Sequence, residues 1–348
     1  MRCYAAGVSP PTRVLGIAGW KGSGKTTLIE RALPELVASG LAVTVVEHDV
    51  HGLRIDAAGA DSDRLFRAGA SVVVEGPGES LARWRPSDAG SLAHRLAPIE
   101  RTCDLVLVEG YKREPHPKVW LLRAGETEPP PEATGVVATL PWDGDRNETF
   151  LSVARERLAA AWASAPRRAA VLVGGASRRM GRPKEAIEID GRPLLDRVAD
   201  ALAPAGAVTL LGGSGASALP RLVDVPGVAG PLAGILAALR WVPVTWIVAS
   251  CDLPRLHAGA VEWLLAQRRP GVWAVLARVG GVVQPLLAVY EPQALRLIEA
   301  IAADAIDSQS APGPSRLEGM AHVATPEPPT ELADCWRGVN TPEELAEL

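Results

Sequence analysis

Apolar residues in this chain fall into short runs separated by stretches with helical spacing. RVLGIAG (13–19), LAVTVVE (41–47), SVVVE (71–75), CDLVLVE (103–109) and KVWLLR (118–123) are apolar almost throughout. A half-buried strand alternates apolar and polar positions, whereas a strand covered on both faces does not. These runs therefore predict a parallel sheet between layers of helix. KTTLIERALPELVAS (25–39) carries helical spacing, with Pro34 expected to kink or divide it. GETEPPPEAT (125–134) reads as a surface loop, and ETFLSVARERLAAAWAS (148–164) as an Ala-rich helix.

The alternation restarts at AAVLVGG (169–175). GRPLLDRVADALAPAG predicts a helix, AVTLL a strand, GPLAGILAALRWV (230–242) a helix, and TWIVASCD (245–252) a strand ending in an acid. VWAVLAR and VVQPLLAVY predict strands, with a helix from about Pro292. SQSAPGPSRLEG (308–319) reads as a flexible loop, and in RGVNTPEEL Thr341 is placed to cap a last helix. No repeat recurs at a period of about 20–50 residues. Two α/β domains follow: residues 1–163, a linker SAPRR at 164–168, and residues 169–348.

Composition acts mainly by exclusion. The net charge is −4 and neither half is basic, which argues against a nucleic-acid surface. No apolar run approaches the roughly 18 residues of a membrane span. MRCYAAGVSPP lacks the apolar core of a signal peptide. Cys3, Cys103, Cys251 and Cys335 form no CxxC, so reduced thiols in a cytoplasmic protein are expected.

Two loops carry candidate chemistry. GWKGSGKTT fits GxxxxGK[ST] between a predicted strand and a predicted helix. Gly19, Gly22, Ser23 and Gly24 let backbone N–H groups converge on phosphate oxygens. Lys25 reaches the terminal phosphates, Thr26 offers a hydroxyl to Mg²⁺, and Thr27 continues the helix start. Glu109, at the end of LVLVE, is the candidate acid opposite them. EHDVHG places His48, Asp49 and His51 after a strand, suited to a metal, a phosphate or a polar turn.

GWKGSGKTTLIERALPEL, EHDVHG, GADSDRLFRAGA and DLVLVEGYKREPHPKV follow in the order found in the molybdopterin-guanine dinucleotide biosynthesis adaptor family, which residues 13–160 resemble. The resemblance implies a P-loop NTPase-like parallel sheet that binds GTP. It also implies partners among molybdoenzyme apoproteins or their chaperones, and a homodimer through this half. Glu47 stands where that family usually has Lys.

The second loop, VLVGGASRRMGRPK (171–184), is not a Walker A sequence. A strand feeds a wide loop containing Gly174, Gly175, Ser177 and Gly181, able to wrap a triphosphate with backbone amides. Arg179 and Lys184 add positive charge for a leaving pyrophosphate. Asp252, ending an apolar strand, is the candidate Mg²⁺ ligand. From about residue 169 the chain resembles the molybdenum cofactor guanylyltransferase family, of Rossmann-like nucleotidyltransferase fold. The shared features are this loop, Asp224 ahead of GPLAG, CD before Pro, QPLLAVY and VNTPEEL.

By that resemblance Leu172, Val173, Gly174, Lys184, Asp224, Gly230 and Asp252 take GTP- and Mg²⁺-binding roles, and Asn340 helps shape the acceptor site. The reaction implied is GMP transfer from Mg·GTP to molybdenum-molybdopterin. Pro183 and LLGGSG (210–215) depart from the guanylyl pattern, so CTP stays open as the nucleotide. A small-molecule kinase or ATP-dependent ligase driven by the P-loop half, and a carrier that binds finished cofactor, also remain. Joining two nucleotide sites in one chain predicts a raised local concentration of each for the other.

Overall fold

The computed structural model describes residues 12–48, 57–83, 91–174, 187–214, 217–308, 313–339, 341 and 344. The first half opens with β1 (Val14–Gly19), α1 (Lys25–Ala38), β2 (Val43–Glu47) and α2 (Asp61–Arg67). It continues through β3 (Val72–Glu75), β4 (Ser80–Arg83), α3 (Leu92–Glu100) and β5 (Leu105–Glu109). It closes with β6 (Lys118–Leu121), β7 (Val136–Leu140) and α4 (Arg146–Ser164). The main sheet has the order β2-β5-β1-β6-β7 and is parallel throughout. Ile17, Val106, Leu107 and Val119 are fully buried in it, as strands covered on both faces require.

Three expectations change here. SVVVE does not join the parallel sheet: β3 pairs antiparallel with β4 as a separate hairpin, with Val73 67% exposed. An apolar run records its composition and not its cover. Pro34 does not divide α1, which runs through it from Lys25 to Ala38. It sits late enough in the helix that Leu28, Ile29, Ala32 and Leu36 still line one buried face. The loop 308–319, expected to be flexible, contains a short 3-10 helix at Pro314–Leu317, with Pro314 and Leu317 buried.

The second half runs β8 (Arg167–Leu172), the short pair β9 (Glu188–Ile189) and β10 (Arg192–Pro193), α5 (Leu194–Ala201), β11 (Val208–Leu211) and β12 (Arg221–Leu222). Then come α6 (Pro231–Trp241), β13 (Thr245–Ser250), α7 (Ala258–Ala266), β14 (Ala274–Val279), β15 (Val282–Tyr290), α8 (Ala294–Ser308) and β16 (Val323–Ala324). Its sheet has the order β12-β11-β8-β13-β15-β14-β16, with β15 alone antiparallel to its neighbours. Thr341 accepts a hydrogen bond from the Glu344 N–H at 3.2 Å, as its expected capping role requires. Residues 164–168, expected as a linker, hold the last residue of α4 and the first two of β8.

The two halves meet at the amino-terminal ends of their strands. Asp104, fully buried just before β5, accepts the Ala42 N–H at 2.8 Å within its own half. Its other oxygen accepts the Trp273 indole N–H at 2.9 Å and the Gly271 N–H at 3.3 Å from the other half. Gln293 and Arg296 donate to the Cys103 and Thr102 carbonyls at 3.0 and 2.9 Å. Arg268 donates to the Trp162 carbonyl at 3.3 Å and pairs with buried Glu291 at 2.6 Å. Gly271, Trp273 and Thr245 lie at the starts of β14 and β13, on the edge away from the strand ends that lead into the second loop.

Candidate nucleotide sites

The first site forms where β1 runs into α1. Gly24 adopts φ +87°, a left-handed conformation that a side chain disfavours, and so turns the chain into the helix. Arg146 braces this turn from α4, donating to the Ser23 carbonyl at 2.8 Å, to the Pro141 carbonyl at 2.6 Å and to the Leu122 carbonyl. The Ser23 hydroxyl is buried against Gly19 with no hydrogen-bond partner among the described residues. Gly19, Gly22 and Thr27 lie in the same turn or at the start of the helix it opens into.

Thr26 and Glu109 come together as expected: the Thr26 hydroxyl stands 3.1 Å from both Glu109 carboxylate oxygens. Lys25 Nζ lies 4.0 Å from the same carboxylate and donates to the Trp20 carbonyl at 3.3 Å. A hydroxyl and a carboxylate are the hard oxygen donors that suit Mg²⁺, so this pair fits the ion the sequence implies. Glu47 sits beside Glu109 in register on β2 and also faces the cavity. His48 stacks on Tyr111 at 4.4 Å, while Asp49 and His51 lie outside the described residues. Among the described residues, no group of three or more His, Cys, Asp or Glu is placed to hold a metal ion.

A cavity of about 760 Å³ opens beside this loop, lined by Trp20, Lys25 and Glu109, by 110–114 on one wall and by Pro130, Glu132 and Ala133 on another. Lys112 lies over the Trp20 ring at 4.2 Å. Burial lowers the Lys112 ammonium from its ordinary value, and the charges of Lys25, Arg123 and Arg113 lower it further. Four cations line the cavity, Lys21, Lys25, Lys112 and Arg113, together with four carboxylates, Glu47, Glu109, Glu114 and Glu132. Sequence reasoning reached 110–114 only as part of the family stretch DLVLVEGYKREPHPKV, with no role given to it, and did not reach Arg146.

The second site gathers at the carboxyl-terminal ends of β11, β8 and β13, which are parallel neighbours. The Val173 N–H donates to the Leu211 carbonyl at 2.9 Å, and the Cys251 N–H to the Leu172 carbonyl at 3.1 Å. Leu172, Val173 and Gly174 therefore start the loop one strand away from Asp252. The Val339 N–H donates to the Asp252 carbonyl at 2.9 Å, which brings the segment before Asn340 to this edge. Gly212 has φ +73°, and a Cβ there would come within 2.9 Å of the Asp224 carboxylate, so Asp224 closes over the end of β11. Although Asp224 is exposed, this contact desolvates its carboxyl and raises it from the ordinary value. Gly230 precedes α6 and accepts the Ala233 N–H at 3.1 Å. The Asp252 carboxylate and the phosphates of a bound nucleotide would give Mg²⁺ an all-oxygen set. Gly175, Ser177, Arg179, Gly181, Lys184 and Asn340 lie outside the described residues.

Comparison with known proteins follows the same division. The family described as Molybdopterin guanine dinucleotide synthesis protein B matches residues 14–141, and the MobA-like NTP transferase domain matches residues 169–312. A molybdopterin-guanine dinucleotide biosynthesis adapter protein from Haemophilus influenzae is 40% identical over 148 residues, covering 41% of this chain and 82% of that protein. A probable molybdenum cofactor guanylyltransferase from Deinococcus radiodurans is 35% identical over 189 residues, covering 53% of this chain and 94% of that protein. The crystal structure of molybdopterin-guanine dinucleotide biosynthesis protein A from Archaeoglobus fulgidus is 25% identical, with a TM-score of 0.44, covering 52% of this chain and 95% of that one. The chain belongs to two families at once, the molybdopterin-guanine dinucleotide biosynthesis adapters in its first half and the molybdenum cofactor guanylyltransferases in its second.

Proposed function

We propose that the second half, residues 169–348, transfers GMP from GTP to the terminal phosphate of molybdenum-molybdopterin. The first half, residues 1–163, would bind GTP as an accessory unit. An acceptor phosphate oxygen bonds to the α-phosphorus of GTP, the α–β bridging bond breaks, and pyrophosphate leaves with the electron pair. The acceptor phosphate is already ionised near neutral pH, so no general base is needed. Leu172 to Gly181 bind the triphosphate through backbone amides. Arg179 and Lys184 hold charge on the leaving group, Asp224 orients the nucleoside and Asp252 holds Mg²⁺. When bound, the ion neutralises charge on the phosphates. One arrangement carries this reading: Asp252 and the start of the amide-rich loop share one strand-end edge.

The test is the full chain with molybdenum-molybdopterin, Mg²⁺ and α-labelled GTP or CTP. Label passing from GTP into a dinucleotide is the expected result. Label passing only from CTP makes the enzyme a cytidylyltransferase, and cofactor binding without pyrophosphate release makes it a carrier. Lys25→Ala is expected to weaken nucleotide binding at the first site about a hundredfold while dinucleotide synthesis persists, because the two sites are separate. Loss of all product in that variant would hand the chemistry to the P-loop half.

The adapter half is proposed to contact molybdoenzyme apoproteins or their chaperones and to form a homodimer. The β3–β4 hairpin supports the dimer: an isolated two-stranded ribbon is marginal in water, and Leu65, Val73 and Val74 around it are exposed. Sedimentation equilibrium should give twice the mass of one chain, and Val73→Asp should shift it toward one. A cytoplasmic setting is proposed from Cys103 and Cys335, which are free thiols. Among the described residues no helix is long and apolar enough to cross a membrane.

A further inference from the structure

Lys118, the first residue of β6, is completely buried. An isolated ammonium in that position would be expensive, so it demands partners. Its three N–H bonds find three main-chain carbonyls and, among the described residues, no carboxylate at salt-bridge distance. They point to Thr134 at 2.7 Å, to Lys112 at 3.4 Å and to Glu114. Burial pushes the ammonium down to about 8, with Glu114 opposing, so it stays charged at neutral pH. His116 beside it is pushed down to about 4 by burial and by that charge, and is neutral.

The three carbonyls do not belong to one loop. Lys112 and Glu114 belong to one segment lining the first-site cavity, and Thr134 follows Ala133 in a second, adjoining one. Thr134 reinforces the junction, its hydroxyl lying 2.8 Å from the Arg113 carbonyl and 3.1 Å from that of Glu114. The backbone that carries Lys112 and Arg113 is therefore fixed by a cation behind it.

We propose that Lys118 is a positioning residue for the first nucleotide site, a buried ammonium clamp that holds two cavity walls together and sets Lys112 and Arg113 toward bound phosphates. The proposal rests on the reading that this cavity takes GTP. It places the binding cations under the control of a residue that never touches the nucleotide. Methionine at 118 would fill the same volume but leave the carbonyls without a donor, and the walls would part.

The test combines two measurements on the full chain, wild type against Lys118→Met: affinity for a fluorescent GTP analogue, and amide hydrogen exchange. Exchange in 111–117 and 130–135 should rise at least tenfold, exchange in the Gly22–Thr26 turn should not change, and the dissociation constant should rise about tenfold. Unchanged exchange would overturn the clamp whatever the nucleotide does. Faster exchange with unchanged affinity would overturn the positioning role. A wild-type chain that binds no nucleotide would overturn the GTP reading and that role with it, while exchange still decides the clamp. If Lys118→Met does not fold, Thr134→Val removes only the hydroxyl bonds, and the same exchange and affinity changes, smaller, are expected from it.

Discussion

Asp252→Ala is expected to lower GMP transfer by about a thousandfold, equivalent to about 4 kcal/mol of transition-state stabilisation. The side chain lies just past the end of β13, one strand from the loop that starts at Gly174. On the proposed mechanism, removing it takes away the carboxylate that would hold a divalent ion against the bound triphosphate. The main-chain carbonyl of residue 252, which accepts the Val339 N–H, is untouched by the substitution. The melting temperature should therefore move little, and GTP binding at Lys25 should not move. Pyrophosphate release and labelled dinucleotide are the readouts. A variant retaining more than about a tenth of the wild-type rate would remove Asp252 from the metal site.

Asp104→Ala is expected to destabilise the chain by about 3–5 kcal/mol, the cost of removing one partner from a buried charged network. Its carboxylate satisfies the Ala42 N–H on one side of the interface and the Gly271 and Trp273 N–H groups on the other. All three donors would be left unpaired. The effect should also be directional. Denaturant unfolding of the wild type should be one transition, and the variant should show two, because the halves lose the buried carboxylate at the centre of the contacts that join them. A single transition at the wild-type midpoint would refute the role given to Asp104.

What the sequence disclosed follows the range of the interactions. The Gly19–Thr27 turn was legible because its chemistry is local: a strand, small residues and a helix start all lie within reach of one another. The pairing of Thr26 with Glu109 was also legible, since an acid ending a neighbouring strand has few other places to go. SVVVE was misread because its apolar run resembles that of a covered strand, and nothing local records that its faces stay open. Asp104 gave no signal at all. It ends an ordinary loop, and the partners that give it meaning lie 167 and 169 positions along the chain. Lys118 was passed over for the same reason, since a lysine opening an apolar strand looks solvent-facing until its carbonyl cage is seen.

The seam around Asp104 bears on the idea that fusion lets the two sites share substrate. It joins the amino-terminal ends of both strand sets, whereas both candidate sites occupy the opposite ends. Strands of five or six residues span about 17–20 Å, so each site stands roughly that far from the seam, at the far end of its own sheet. A tether whose geometry forbids joint engagement adds no effective concentration. What one polypeptide secures instead is parity: each transferase is made with one adapter, and a client protein can sit on either pole without blocking the other.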